Sequence, residues 1–295
     1  MNVNELPNFD ALWNYSKPEE TEQKFREILS GISVEDHTEY YASLLTQIAR
    51  TLGLQMKFDE AHKTLNEVEK LIDESMIKAR VRLMLERGRA FRSSGSVPQS
   101  IPCFEQAYSL ASTSRELDYF AVDAAHMMGI VMPPDGGGLE WNEKACHAAE
   151  ESSDKNAQNW LGALYNNIGW TYHAKGEYRI ALGWFEKYAA WSAARMRTTD
   201  ERIAKWCAAK MRRLLGEVRE ALAYQLELLE ILEAINEPDG YVFEEIGECL
   251  LALDRAVEAA PHFQAAYELL SQDAWLVRDE QPRIERLKML GMPII

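Results

Sequence analysis

The side chains that could do chemistry in this 295-residue chain are carboxylates, histidines, cysteines and two clusters of arginine and lysine. Acidic pairs such as Glu244-Glu245 are frequent, but acid–base catalysis needs a pocket that shifts one pKa, and no motif indicates one. His126, Cys146 and His147 fall near one another, yet single histidines on helices are more often structural than ligands. We therefore expect no enzymatic activity, no catalytic residues, no metal site and no cofactor.

Composition and charge exclude further classes of protein. Hydrophobic residues make up 47% of the chain and charged residues 27%, which is typical of a folded protein, and no apolar run is long enough to span a membrane. The first seven residues contain no basic or apolar stretch, so we expect no export signal and a cytoplasmic protein. The net charge of -15 repels nucleic acid and anionic lipid unless positive charge is concentrated locally. Reduced core residues are expected at the four cysteines, which never form a C-x-x-C pair: Cys103, Cys146, Cys207 and Cys249.

One pattern of residue types recurs along the chain. In its clearest copy, residues 165–188, a large residue is followed by an aliphatic residue at +3, Gly at +4, aromatic residues at +7 and +13, Gly at +11, Ala at +16 and Phe at +20. The Ala position recurs at intervals of 39, 81, 40 and 38 residues, at Ala61, Ser100, Ala181, Ala221 and Ala259. The 81-residue interval leaves room for one further, degenerate copy.

This pattern resembles the tetratricopeptide repeat, a helix-turn-helix unit of usually 34 residues, and the longer period implies helices about one turn longer. The resemblance implies an all-α fold, a right-handed superhelical solenoid of helix-turn-helix repeats that forms a single domain over residues 1–295. We expect a half repeat over 18–30, six two-helix repeats over 38–271 and a capping helix over 273–290. The third repeat, about 115–153, is the degenerate one.

Close packing of two helices explains the spacing. Small residues let the paired helices approach each other, while the aromatic and Phe positions fill the space between one pair and the next. A single pair cannot bury its apolar face, whereas stacked pairs can. Gly95, Gly176 and Gly216 fall where the turn inside a repeat needs a permissive backbone.

In proteins that resemble this family, the first helix of each repeat lines a concave groove. The resemblance, carried over repeat by repeat, implies a partner-binding site made of Arg50, Arg82, Arg89, Arg92, Asn166, Trp170, His173, Trp206, Lys210 and Arg213. The same positions in neighbouring repeats are Leu85, Tyr241, Glu244 and Glu248. Arginine would bind carboxylates with two hydrogen bonds, tryptophan would stack on apolar or cationic side chains, and Asn166 would hydrogen-bond a peptide backbone.

Charge is distributed unevenly between first and second helices. Residues 77–94 hold six basic residues against one acidic residue, and residues 200–214 hold five against two. The second helices over 58–74 and 217–237 are net acidic. We therefore expect Arg82 and its neighbours to form an exposed positive surface, whose reversal to glutamate leaves the fold intact.

These features predict a non-enzymatic adaptor whose groove binds a peptide segment of another protein, acidic or ending in a free carboxylate. The alternative is a regulator of the bacterial repeat-sensor type, in which a signalling peptide or small molecule closes the superhelix. RNA binding along the two basic helices is a third possibility, although nucleic acid is not the expected partner; it requires an affinity that falls steeply with salt.

Overall fold

The regular structure of the chain is helical. The computed structural model describes residues 6–292, apart from the side chains of residues 134 and 135, and this part contains no strand. Its α-helices are α1 (Pro18–Ser30), α2 (Thr38–Leu54), α3 (Phe58–Leu71), α4 (Ile77–Ser93), α5 (Val97–Ala111), α6 (Asp118–Val131), α7 (Leu139–Glu151), α8 (Lys155–Gln158), α9 (Leu161–Ala174), α10 (Tyr178–Ala194), α11 (Thr198–Leu214), α12 (Val218–Ala234), α13 (Gly240–Ala252), α14 (Ala256–Leu270), α15 (Ala274–Asp279) and α16 (Gln281–Leu290). The predicted all-α class is confirmed.

The residues form two compact units, and the division between Leu164 and Tyr165 falls inside α9. In the first unit α2 packs on α3, α4 on α5 and α6 on α7. In the second unit α11 packs on α12 and α13 on α14, while Gly169 of α9 meets Phe185 of α10. We call the first helix of each pair the inner helix.

The spacing of small and aromatic residues packs the two helices of a pair as predicted. A Cβ on Gly88 would lie 2.5 Å from Cε1 of Phe104, so only glycine fits there. The same close approach joins Gly169 to Phe185 and Gly247 to Phe263. No accessible surface remains at the Ala positions Ala61, Ser100, Ala181, Ala221 and Ala259. These buried contacts give each repeat its core.

In the degenerate third repeat, a polar side chain packs against the glycine of the first helix. Gly129 meets the side chain of Asn142 at 2.5 Å from its ideal Cβ position, so Asn142 takes the place that phenylalanine fills elsewhere. The Asn142 amide donates a hydrogen bond to the Gly138 carbonyl at 3.2 Å. Residues 134–138 form a wide turn that leads into α7, and Gly137 has a φ of 102°.

The C-terminal segment consists of two helices where the sequence predicted one over 273–290. The break lies at Glu280, between α15 and α16. Leu276, Ile284 and Leu287 are buried in the same core as residues of α13 and α14. Trp275 is 54% exposed, because α15 turns it away from that core.

Candidate functional site

The inner helices of the first unit carry four of the predicted arginines, and two of these arginines join a buried ionic network. Arg89 donates to both carboxylate oxygens of Asp123, at 2.5 and 2.6 Å, and to Oε1 of Glu86 at 2.8 Å. Arg50 donates to the same Glu86 oxygen at 3.2 Å. Burial lowers the pKa of Arg89, but the charges of Asp123 and Glu86 outweigh it and hold that pKa above its ordinary value. Arg89 therefore keeps its positive charge.

Arg82 is paired with the N-terminal segment, which we define as residues 7–16. Its Nη2 donates to Oδ2 of Asp10 at 2.5 Å. The guanidinium also lies between the rings of Phe9 and Phe120, at 5.2 and 5.0 Å from their centroids. Only 5% of Arg82 is exposed, so its charge is satisfied inside the first unit.

The predicted exposed arginine surface is therefore wrong for Arg82 and Arg89. Arg82 pairs with Asp10 of the N-terminal segment, and Arg89 pairs with Asp123 of α6 as well as with Glu86 of its own helix. A charge count within one helix does not include Asp10 or Asp123. Reversing either charge would leave a buried carboxylate facing another carboxylate, so such variants are not neutral for the fold. Arg92 is exposed and takes part in no ion pair within residues 6–292.

A polar pocket of about 470 Å³ lies between the N-terminal segment and the inner helices of the first unit. Its lining residues are Asn8, Asp10, Ala11, Trp13, Tyr15, Gln47, Arg50, Lys78, Arg82, Leu85, Glu86, Glu116, Tyr119, Phe120, Asp123, Asp154 and Asn156. The segment thus forms one wall of this pocket.

The inner helices of the second unit carry a row of aromatic side chains. The rings of Trp170 and Trp206 lie 6.0 Å apart, and those of Trp206 and Tyr241 lie 5.9 Å apart. His173 meets Trp170 edge to face at 5.0 Å. All four side chains are partly exposed. Trp206 is held in place by a hydrogen bond from its Nε1 to the Tyr241 carbonyl at 3.0 Å.

Two cations beside this aromatic row share one carboxylate. Lys210 donates to Glu245 at 2.7 Å, and Arg213 donates to both oxygens of Glu245 at 2.7 and 3.0 Å. Burial raises the pKa of Glu245, but hydrogen bonds from Arg213 and the charge of Lys210 outweigh it and bring that pKa below its ordinary value. Glu248 is engaged by Arg286. The cluster therefore carries a local positive surplus next to Trp206.

At the Tyr241 end of the row the local charge is negative. Arg283 pairs with both Glu244 and Glu280, so two carboxylates face one guanidinium. The guanidinium stacks over Tyr241 at 5.1 Å from the ring centroid. The row is thus polarised, positive beside Trp206 and negative beside Tyr241.

The remaining predicted residues of the second unit lie on α9. Burial lowers the pKa of His173, and the charges of Lys210 and Arg213 lower it further. Asn166 precedes Trp170 by one helical turn; its Oδ1 is buried and accepts no hydrogen bond from the described residues. That unsatisfied acceptor is costly unless a donor reaches it.

The aromatic row borders an open pocket of about 1130 Å³. Its lining residues are Trp170, His173, Thr199, Arg202, Ile203, Trp206, Lys210, Leu228, Leu232, Glu237, Pro238, Asp239, Gly240, Tyr241, Val242, Glu244, Leu269, Leu270, Glu280 and Arg283. The structure thus groups Arg50, Arg82 and Arg89 in the first unit, and groups Trp170, His173, Trp206, Lys210 and Arg213 in the second.

The sequence analysis missed the carboxylates that neutralise these cations. Glu86 lies 36 residues after Arg50, Asp123 lies 34 after Arg89, and Glu245 lies 35 after Lys210. A search for a base followed by an acid about one repeat later would have found all three pairs.

Within the part of the chain that the structure describes, no group of three or more histidine, cysteine or carboxylate side chains could hold a metal ion. None of its helices combines the length and the apolar character needed to cross a bilayer.

No family model and no curated protein matches this sequence. Solved structures do. The apo form of RapI aligns with a TM-score of 0.70 at 14% identity, over 96% of this chain and 79% of that one. A kinesin light chain with tetratricopeptide-like repeats from Podospora anserina aligns with a TM-score of 0.54 at 17% identity, over 68% and 99%. The chain has the tetratricopeptide-repeat fold.

A third similar structure is a signal-transduction ATPase of Pyrococcus horikoshii with a tetratricopeptide repeat sensor. It aligns with a TM-score of 0.71 at 10% identity, over 92% of this chain and 41% of that one. At these identities the likeness establishes the tetratricopeptide-repeat fold alone, so function has to be argued from the surfaces of this chain.

Proposed function

We propose that this protein is a non-enzymatic adaptor that binds a peptide segment of another protein across the inner helices of the second unit. The observation that carries the proposal is the partly exposed row of Trp170, Trp206 and Tyr241 beside an open pocket. Partly exposed tryptophans at the centre of a concave surface are typical of binding hot spots.

The aromatic rings and the charges at the two ends of the row determine which residues the bound peptide should carry. Apolar or aromatic side chains would pack against Trp170 and Trp206, gaining ring contacts that the free protein lacks. An acidic side chain or a terminal carboxylate would lie beside Lys210, where two cations share Glu245. The opposite end of the segment would be neutral or basic, because Arg283 already faces two carboxylates.

A regulatory role is the second candidate, and it uses the same surface. The similar Pyrococcus horikoshii protein contains a tetratricopeptide repeat described as a sensor. A pocket of about 1130 Å³ is large enough for a small signalling ligand as well as for part of a peptide. The two candidates differ in whether the occupant extends beyond the pocket along α9 and α11.

Selection of peptides from a random 12-residue display library tests the proposal on the full chain. Peptides selected on the wild-type chain should combine an aromatic or large aliphatic residue with an acidic residue. Trp206→Ala should weaken their affinity about thirtyfold in a fluorescence anisotropy titration, because removing a central tryptophan costs on the order of 2 kcal/mol. Lys210→Gln should weaken only the acidic peptides.

Two variants make this test specific. Trp275→Ala is a matched control, because Trp275 is 54% exposed and lies outside the pocket lining. Ile203→Glu alters an exposed lining residue without touching the core, so it reports on binding even if Trp206→Ala destabilises the fold. Peptides that bind Trp206→Ala and Ile203→Glu as tightly as the wild-type chain would refute the site.

A further inference from the structure

The N-terminal segment lies against the inner helices of the first unit in the manner of a bound peptide. Its only regular structure is one 3-10 turn over Phe9–Leu12, without a side-chain cap. The carbonyl of Pro7 accepts a hydrogen bond from the Tyr40 hydroxyl at 2.7 Å, and Trp13 donates from Nε1 to Gln47 at 3.0 Å. Both anchoring side chains belong to α2.

Charge complementarity links the segment to the arginines of α2 and α4. The inner helices bring Arg50, Arg82 and Arg89 together, and their carboxylates Glu86 and Asp123 pair with Arg50 and Arg89. The ion pair of Arg82 within residues 6–292 comes from the segment, because Asp10 pairs with it. The repeats therefore leave the buried guanidinium of Arg82 without a direct ion pair, and an external carboxylate supplies one.

Aromatic side chains flank this carboxylate. Phe9 stacks on one side of Arg82, and Arg50 lies over the stacked rings of Trp13 and Tyr15 at 5.6 and 5.2 Å from their centroids. Such cation–π contacts add to the attraction of the ion pair. The segment thus presents a carboxylate between two aromatic groups to two arginines of the repeats.

Much of the segment stays in contact with solvent. The side chain of Asp10 is 47% exposed and Tyr15 is 56% exposed, whereas Phe9 is buried. The pocket of about 470 Å³ remains open along one side of the segment. The segment is held by the rings of Phe9 and Trp13, which meet Phe25 edge to face, by one ion pair and by a few hydrogen bonds. An element with so few contacts and so much exposed surface opens more readily than the helices beneath it.

We infer that the inner surface of the first unit is a binding site for acidic peptide segments flanked by aromatic residues, and that residues 7–16 occupy it as an intramolecular ligand. A partner segment with a carboxylate between aromatic side chains would displace them and pair with Arg82. This site is separate from the aromatic row of the second unit, so either proposal can fail while the other stands.

The inference can be tested by letting a free peptide compete with the tethered N-terminal segment for the same surface. The probe is a fluorescein-labelled synthetic peptide of residues 6–17, titrated against the full chain. The tethered segment acts at an effective concentration of about millimolar, so the wild-type chain should bind the probe weakly. In Asp10→Lys the segment is repelled by Arg82, and the probe should bind at least tenfold more tightly. A probe that itself carries Asp10→Lys should not bind either chain.

A second form of the test keeps every side chain of the segment. A protease site inserted after Ser16 allows the segment of the otherwise wild-type chain to be cut from α1. If the segment is a ligand, the cut piece exchanges with the labelled probe while circular dichroism stays unchanged. A cut piece that fails to exchange, or whose loss unfolds the first unit, would identify it as a permanent part of the core and overturn the inference. Failure of the probe to bind a folded Asp10→Lys chain would do the same.

Discussion

In the first unit, Arg50, Arg82 and Arg89 meet Glu86, Asp123 and Asp10, whereas in the second unit Lys210 and Arg213 share the single carboxylate of Glu245. The repeats of both units supply fewer carboxylates than cations at these positions. In the first unit another part of the same chain supplies the missing carboxylate, and in the second unit the place beside Trp206 is open. A cation-rich inner helix therefore keeps positive charge available to a ligand only where the neighbouring helices fail to neutralise it.

The largest expected effect on stability distinguishes the ionic network of Arg89 in the first unit from the pairing of Lys210 and Arg213 with Glu245 in the second. Arg89→Met leaves the buried Asp123 without a cation and should lower the free energy of unfolding by about 3 kcal/mol or more. Lys210→Met leaves Glu245 paired with Arg213 and should cost about 1 kcal/mol. Urea denaturation followed by circular dichroism measures both. Equal losses would contradict the difference between the two networks.

Loss of the Asp10 charge should have an intermediate effect confined to the first unit. Asp10→Asn removes the ion pair with Arg82 but keeps a hydrogen-bonding side chain of the same size. Because Asp10 is half exposed, we expect a cost of about 1 kcal/mol. Hydrogen exchange at the amides of residues 8–14 should become faster, while exchange in α11 and α13 stays unchanged. Faster exchange in both units would argue against a local contact.

The fold could be predicted because its decisive contacts lie within one repeat. Gly88 and Phe104, or Gly247 and Phe263, are read from one stretch of sequence, and their spacing fixes which residues meet. The site could be predicted only in part. Its aromatic members were found by position, but the pairing of Arg82 depends on Asp10, which is 72 residues away in a segment without any repeat pattern. Local counting cannot detect such a partner.

Acidification should destabilise the protein, with a larger contribution from the first unit. Burial lowers the pKa of His126 on α6, the charges of Arg89 and Arg92 lower it further, and Asp123 opposes them. Below the ordinary value of about 6.5, the unfolded chain therefore binds a proton that the folded chain does not. Stability from this group is complete above that pH and is lost as the pH falls through it.

Unfolding midpoints measured from pH 7.5 to 5.5 check this expectation. His126→Gln should flatten the decline more than His173→Gln, because His126 is buried whereas His173 is partly exposed on the aromatic row. The reverse order would place the more strongly perturbed histidine in the second unit.

The smallest effect is expected at Arg92, which the sequence grouped with Arg82 and Arg89. Arg92 is exposed and forms no ion pair within residues 6–292, so Arg92→Glu should change the free energy of unfolding by less than about 0.5 kcal/mol. The same denaturation experiment reports it. A loss comparable to that of Arg89→Met would show that the paired network extends one turn further along α4.

The pairing of each base with an acid about one repeat later has a consequence for how such a chain can be rearranged. Arg50 pairs with Glu86, Arg89 with Asp123 and Lys210 with Glu245, so α2, α4 and α11 each carry the base of an ion pair whose acid lies on the following inner helix. Repeats with interchangeable apolar cores could otherwise be shuffled, duplicated or deleted freely. Here a transplanted repeat that lacks the acid or the base would leave a buried charge without its partner, so the ion pairs restrict which repeats can follow one another.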